Sequence, residues 1–386
     1  MKTKVLTLWS TTYCGGAARR FVELVDGLPS RGTDVVLLSV HDYIGHSSAC
    51  VERLALPQGR FRVPRTHLSS ECLRRVGRMV LKHKPDVVFA FGLINGGILF
   101  RSARLSGIPC VLFIRGMELV PGEYRRLPFN RIPALGATIH RLYAGAFRAY
   151  AHRVFHKTES VVFQHEAQYR AYLDRRLLSR TSTCSIHLLP NNSNPSWSPE
   201  RLARQFVREP VTVVAANLYW GKGFKIALDA FGMVRERVPN AQLVILGDGP
   251  DGNDIRRYAA RTPGVSFHGH VGDVHEYFKR ARLLLHPTLY ELGSPNIVLE
   301  AAGWGLPMLV SDEVAHTVGM RSWVYPAHDH KGLTRIWIDA LTNSEVYDHL
   351  CRESHELGER HRFDWVAKAH DILVSRSNGR NEGPHG

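Results

Sequence analysis

The sequence is short of cysteine, of acidic residues and of long apolar runs. Its six cysteines (Cys14, Cys50, Cys72, Cys110, Cys184 and Cys351) are scattered and form no C-x-x-C pair. A disulfide framework or a structural zinc site is therefore not expected, and a reducing compartment fits. The most apolar stretch, Val87 to Phe100, is interrupted by Gly92, Asn95, Gly96 and Gly97, too short and too punctuated to span a bilayer. The opening residues, Met1 to Trp9, lack a long apolar core followed by a small-residue cleavage site, so no signal peptide is read. There is no Asp-x-Asp pair to hold a metal, no repeat of 20–50 residues and no heptad pattern. What remains is ordinary globular material, 44% apolar and 22% charged over 386 residues, enough for two domains at about 150 residues each.

The deficit of acid is local. Lys and Arg number 50 against 35 Asp and Glu, a net charge of +15. Residues 1–190 hold 28 basic and 12 acidic residues, a net of +16, and the rest of the chain is nearly neutral. So lopsided a field favours an anionic partner on the first half, such as a phospholipid surface or an anionic acceptor. No nucleic-acid recognition motif accompanies the charge, and nucleic acid is not expected. Two stretches would present it on helices. Cys72 to Lys82 sets Arg74, Arg75, Arg78 and Lys82 on one face and Leu73, Val76 and Val80 on another, and His140 to Tyr150 mixes bases with aromatics. Both patterns fit the headgroup plane of a membrane, and both fit helices packed on a sheet.

Strand-length apolar runs alternate with stretches of helical period, twice over. The first series is Val5–Leu8, Val35–Ser39, Val87–Phe91, Cys110–Ile114, Val154–His156 and His187–Leu189. The second is Val211–Ala216, Leu243–Gly247, Val265–His268, Leu283–His286 and Met308–Ser311. Such alternation predicts parallel sheets with covered faces, and two series predict two Rossmann-like domains with ligands at the carboxyl ends of their strands. The turn-rich run from Pro190 to Pro199 marks the boundary. The expected division is residues 1–195 as a basic first Rossmann-like domain and residues 196–360 as a second. Residues 361–386 would form a helix packing back towards the first domain and then a disordered tail.

Four segments lie where such strands end. The Gly15-Gly16 pair opens the first helix, where backbone amides can approach an anion. Lys222 sits between Gly221 and Gly223, after the first strand of the second series, and a flexible ammonium there suits a phosphate. Gly247-Asp248-Gly249-Pro250-Asp251-Gly252 matches G-x-G-x-x-G, but it follows a second strand and Pro250 removes an amide, so a tight turn is the better reading than a nicotinamide site. The most informative segment runs from His286 to Pro307. A strand ends, Gly293-Ser294-Pro295-Asn296-Ile297 turns into a helix whose first amides would hold a diphosphate, and Glu300 follows one turn later.

Taken in order, these segments resemble the family 4 glycosyltransferases, retaining enzymes of the GT-B fold that use nucleotide-sugar donors. The resemblance spans nearly the whole chain, from the Gly15-Gly16 loop to the helix near Phe363-Asp364-Trp365, and includes a Pro190-Asn191 hinge step. It implies an α/β protein with two Rossmann-like domains facing across a cleft. It implies donor contacts at Gly15, Gly16, Asn217, Lys222, Gly293, Ser294, Pro295, Asn296 and Ile297, with Glu300 on the ribose diol. Lys222, Glu291 and Arg115 would be the catalytic groups, with no metal and no cofactor beyond the co-substrate, a UDP-sugar. The acceptor would be a glycan or a lipid-linked hydroxyl, and the enzyme cytoplasmic, on the inner face of a membrane. Three departures stand out. Eight residues, not the family's seven, separate Glu291 from Glu300; Asn217 replaces an arginine before Lys222; and Arg115 replaces a histidine before Gly116. They also fit a second reading, a catalytically degenerate GT-B protein that binds an anionic polymer or membrane surface.

Overall fold

The computed structural model describes residues 2–10, 15–42, 45, 49–54, 70–116, 133–193 and 209–378. Residues 11–14 of the first loop, 117 and 118 after Gly116, 195–199 of the linker, 379–386 of the tail and the side chains of residues 140–143 lie outside that description. The chain divides into two compact units. One comprises Met1–Leu189 with Trp365–Gly386, the other Pro190–Asp364. The second unit begins at Pro190 rather than after residue 195 for a physical reason. Asn192 donates to the Phe363 carbonyl (2.8 Å), Ser193 donates through its hydroxyl to the Gly358 carbonyl (2.7 Å) and through its amide to that of His361 (2.9 Å). The hinge residues are thus stitched to the end of the unit they open.

In the first unit the strands are β1 (Thr3–Trp9), β2 (Thr33–Ser39), β3 (Cys50–Arg53), β4 (Val87–Phe91), β5 (Cys110–Phe113), β6 (Ser160–Phe163) and β7 (Ser185–Leu188). They form one parallel sheet in the order β3-β2-β1-β4-β5-β6-β7, with Val5 paired to both Val35 and Val87. Central strands such as β5 and β6 are buried along their whole length, which is why they read as unbroken apolar runs rather than alternations. The helices are α1 (Gly16–Gly27), α2 (Ser70–His83), α3 (Leu93–Leu105), α4 (Pro133–Phe155) and α5 (Glu166–Asp174).

Two differences from the sequence reading have clear causes. Val154–His156 is not a strand but the end of α4, where Val154 and Phe155 are buried in the helix–sheet core; the strand comes next, at Ser160–Phe163. Of the glycines read as punctuation after Val87, Gly92 caps α3 at a φ of +81°, and Gly96 and Gly97 lie inside it. Tyr150 of α4 explains one of them: its hydroxyl donates to the Leu93 carbonyl (3.1 Å), and a Cβ on Gly97 would meet that hydroxyl at 1.8 Å. Gly97 is where α4 comes closest to α3, not a break.

In the second unit the strands are β8 (Val211–Ala215), β9 (Gln242–Leu246), β10 (Val265–Gly269), β11 (Leu283–His286), β12 (Met308–Ser311) and β13 (Val324–Tyr325). Their order is β10-β9-β8-β11-β12-β13, all parallel. The helices are α6 (Phe224–Arg237), α7 (Gly252–Ala259), α8 (His275–Phe278), α9 (Asn296–Gly303), α10 (Ala315–Val318), α11 (His330–Thr342) and α12 (Ser344–Arg360); α13 (Trp365–Asn378) belongs to the first unit. Trp323, Trp337 and Phe231 fill the core between sheet and helices. Among the described residues no helix is long and apolar enough to cross a membrane.

In both sheets the strand order reverses beside the first strand, between β1 and β4 and between β8 and β11. At such a switch point the connections leave in opposite directions and open a crevice at the carboxyl ends. The loops after β8 and β11 carry Lys222 and Glu291.

Candidate active site

The loop after β8 turns sharply through a single helical turn, Trp220–Lys222, and Gly223, whose φ is +75°. A side chain at Gly223 would place its Cβ 1.7 Å from the Pro287 carbonyl oxygen, so only glycine lets this loop lie against the one after β11. The two loops are also joined by a Leu289 amide bond to the Gly221 carbonyl (3.0 Å). The G-x-G-x-x-G segment braces the same loop from behind: the Leu218 amide donates to the Asp248 carbonyl and the Trp220 amide to the Asp251 carboxylate, each at 3.0 Å.

This contact brings Lys222 Nζ within 2.9 Å of Glu291 Oε2, with the two side chains only 16% and 17% exposed. Glu291 Oε1 accepts from the Gly293 amide at 2.9 Å. Burial works against both charges, but the ion pair outweighs it. Lys222 is held above the ordinary lysine value and Glu291 below the ordinary carboxylate value, so both are charged at neutral pH. At the end of β11, His286 is buried to 3% exposure, and its Nε2 has no hydrogen-bond partner among the described residues. Burial first, and the Lys222 charge second, push its pKa down to about 3, so the imidazole is neutral.

Pro295 caps α9 rather than occupying its first turn, and no acidic side chain competes for the amides there. The turn into the helix is pinned from several directions. Asn191 Nδ2 donates to the Ser294 carbonyl and to Asn296 Oδ1 (both 2.6 Å), His316 Nε2 donates to the Gly293 carbonyl (2.9 Å), and Thr317 donates to the Ser294 hydroxyl (3.2 Å). One turn on, Glu300 is buried, with His275 Nε2 at 3.9 Å from its Oε2. The result is a fixed edge that brings together one ammonium, the amides at the start of a helix and two carboxylates, the partly buried Glu291 and the buried Glu300. Asn217 lies in the loop two residues past β8, and its carbonyl accepts from the Tyr219 amide at 2.9 Å.

In the first unit, Gly15 caps α1 in an extended conformation and Gly16 begins the helix. At the β1/β4 switch point, Ser10 Oγ donates to Asn95 Oδ1 at 2.5 Å. Arg115 follows β5, donates to the Leu189 carbonyl (3.3 Å) and lies 5.1 Å over the Trp365 ring, which Arg20 also approaches at 5.7 Å. Burial and then the Arg20 charge lower the Arg115 pKa to about 9, still cationic at neutral pH.

Of the residues singled out in the sequence, Lys222, Glu291, Gly293 to Ile297 and Glu300 come together on the second unit, and Gly15, Gly16 and Arg115 lie on the first. Sequence reasoning gave no role to His286, His316, Thr317 or His275. The first could have been found, since a polar residue closing an otherwise apolar strand sits at the carboxyl end. The others come from turns and short helices that carry no periodic signal.

A fold of two parallel-sheet α/β units with charged groups at the strand ends is that of the GT-B glycosyltransferases. Residues 15–191 match the model described as a glycosyl transferase 4-like domain, and residues 209–343 that of glycosyl transferases group 1. The chain belongs to this family of glycosyltransferases. Sucrose-phosphate synthase from Thermosynechococcus elongatus has the same fold, with a TM-score of 0.74 and 17% identity over 98% of this chain and 99% of that one. So does HepE from Anabaena, solved with UDP and glucose, with a TM-score of 0.71 and 15% identity over 97% and 99%. A putative glycosyltransferase of Bacillus subtilis, EpsF, is 28% identical over 145 residues, 34% of this chain. That match spans only 38% of EpsF.

Proposed function

We propose that the protein transfers a sugar, with retention of configuration, from a nucleoside diphosphate sugar to a hydroxyl acceptor, in the assembly of a glycan, polysaccharide or glycolipid. The observation that carries this reading is the Lys222–Glu291 pair beside the start of α9, at the switch point of the second sheet. In transfer, the bond between the sugar's anomeric carbon and the diphosphate oxygen breaks. A new bond forms to the acceptor oxygen, whose proton passes to the departing diphosphate oxygen. Negative charge grows on the departing diphosphate, and Lys222 with the amides of Ser294, Asn296 and Ile297 meets it without a metal ion. Glu300 receives the ribose diol. The UDP bound to HepE, which shares the fold, supports a UDP-sugar as donor.

The acceptor falls to the first unit, where residues 1–190 carry a net charge of +16, while Gly15 and Gly16 are donor contacts and Arg115 a catalytic group. On α2, Arg74 and Arg78 are 72% and 70% exposed while Cys72, Val76 and Val80 are buried, so the basic face is turned outward. This supports peripheral docking on an anionic membrane, on its cytoplasmic side, with a lipid-linked acceptor. The test is Lys222→Ala. A group that acts on charge developed only in the transition state should cost at least about a hundredfold in kcat, with a smaller loss of donor affinity. A variant with normal kcat and a raised KM would remove Lys222 from the chemistry. A wild-type protein that binds nucleotide sugars without turnover would be a binding protein instead.

A further inference from the structure

The turn that precedes α9 hangs on the place where the chain enters the second unit. That unit begins at Pro190, and Asn191, its second residue, is 3% exposed. The side-chain amide of an asparagine carries two hydrogens. Here both are committed to one turn: Nδ2 donates to the Ser294 carbonyl and to Asn296 Oδ1, each at 2.6 Å, across 103 and 105 residues of chain. A carbonyl only accepts, so the bond to Ser294 fixes which end of the Asn191 amide faces the turn. Asn191 is itself held from behind. Its carbonyl accepts from His361 Nδ1 at 2.9 Å, and Ser193 returns its amide to the His361 carbonyl at 2.9 Å.

Each of the two bonds bears on the amides assigned to the diphosphate. The Ser294 carbonyl belongs to the peptide that joins Ser294 to Pro295. The ring of Pro295 fixes its φ, here −66°, so a pinned Ser294 carbonyl leaves only the ψ of Pro295, 121°, to aim the Asn296 amide. The second bond acts on a competitor. An asparagine in the first turn of a helix can fold its side-chain oxygen onto nearby backbone amides. At Asn296, the first residue of α9, that oxygen takes its hydrogen bond from Asn191 instead, which draws it off those amides. The other braces act elsewhere, His316 on the Gly293 carbonyl and Thr317 on the Ser294 hydroxyl. Asn191 bonds the residue before Pro295 and the residue after it.

We propose that Asn191 is a positioning residue for the donor: bridging Ser294 and Asn296, it sets the direction of the amides that meet the diphosphate. The inference rests on the assignment of a nucleoside diphosphate to the start of α9. It makes recognition of the phosphates, rather than of the nucleoside, depend on a side chain contributed from the opening of the unit.

The experiment measures the affinity of UDP by calorimetric titration, and that of uridine by competition, in the wild type, Asn191→Leu, Asn296→Ala and the Asn191→Leu/Asn296→Ala double variant. Leu keeps much of the bulk of Asn and removes both donors. Asn191→Leu should weaken UDP at least about tenfold, the scale of one or two lost hydrogen bonds, and leave uridine within about twofold. In the Asn296→Ala background, where one of the two bonds is already gone, the same change should cost less. Equal losses for UDP and uridine, or an unchanged UDP affinity in a variant that melts below the wild type, would show that Asn191 supports the fold and nothing more, and would overturn the proposal. If the wild type binds UDP no more tightly than uridine, or binds neither, the assignment of the diphosphate to this turn fails, and the inference falls with it. Should Asn191→Leu not fold, Asn296→Ala breaks one of the two bonds at a half-buried residue and carries the same comparison with a smaller expected loss. An unchanged ratio of UDP to uridine affinity there overturns the proposal.

Discussion

Replacing Glu291 by Gln separates the ion pair from everything else at the site. The amide keeps the shape of the side chain and can still accept from the Gly293 amide, but Lys222 loses the carboxylate contact of its ammonium, at 2.9 Å. Breaking a fully buried pair by neutralising one partner costs about 3–5 kcal/mol. The 16% and 17% exposure lets water share the remaining charge, so about 2–4 kcal/mol is expected here. For a domain of this size that corresponds to roughly 5–15 °C in the melting transition of the second unit, read by scanning calorimetry. The same change removes a carboxylate that competes with the donor for Lys222. Saturating UDP would supply the missing negative charge, and it should raise the melting temperature of the variant by more than that of the wild type. A variant that melts like the wild type, or that gains less from UDP than the wild type does, would refute the view that Glu291 holds Lys222 until a diphosphate displaces it.

Gly223→Ala forces a Cβ into the Pro287 carbonyl at a positive φ, and should destabilise the second unit by more than about 2 kcal/mol while abolishing nucleotide binding; retained binding in a stable variant would show that the loop does not need this approach. His286 is neutral when folded, with its pKa lowered to about 3, whereas the unfolded chain takes up a proton below about 6.5. Stability attributable to it is therefore complete above pH 6.5 and falls by up to about 1.4 kcal/mol per unit as the pH drops towards 3. Urea midpoints at pH 7 and pH 5 should converge in His286→Asn, and an identical acid slope in the variant would be the contrary result. Reversing Arg74, Arg75 and Arg78 to Glu should reduce partitioning onto anionic vesicles at least tenfold, at about 1 kcal/mol for each basic residue near the surface; equal partitioning would rule out α2 as the docking face.

The strands of the second unit were the most legible part of the sequence. Leu283–His286 and Met308–Ser311 are strands over those very residues, because buried parallel strands leave short unbroken apolar runs between turns. The same signal misled at Val154–His156, where the buried end of a long helix has the same composition. The helix α3 was hidden by its glycines, of which Gly97 makes room for Tyr150 and Gly96 for Leu112 and Val154, all far away in sequence. At the site, Lys222, Asn296 and Glu300 could be picked out because glycines and a proline frame them. The pairing of Lys222 with Glu291, sixty-nine residues apart, could not, since it arises from the adjacency of β8 and β11 in the sheet. The braces from Asn191 and His316 were invisible because they reach the turn before α9 from the hinge and from a short helix beyond β12, neither of which carries a periodic signal.

The return of α13 to the first unit sets the order in which the chain can finish folding. Trp365 and Leu373 are buried there, Trp365 contacts Phe113, Val366 packs so closely on Gly27 that a Cβ would approach it to 2.9 Å, and His370 bonds Thr33 at 3.0 Å. During synthesis the first 189 residues emerge long before the helix that completes their core. Until residue 365 and its neighbours are made, the face formed by α1 and β5 stays open, while Pro190–Asp364 can close on itself without help. The half made first is thus the half completed last, through contacts of very high sequence separation, which slow folding because the entropy of closing the loop must be met before the contacts form. A ribosome stalled or a chain cut before Trp365 would leave a finished second unit joined to a first unit with an apolar gap, a natural handle for chaperones and proteases.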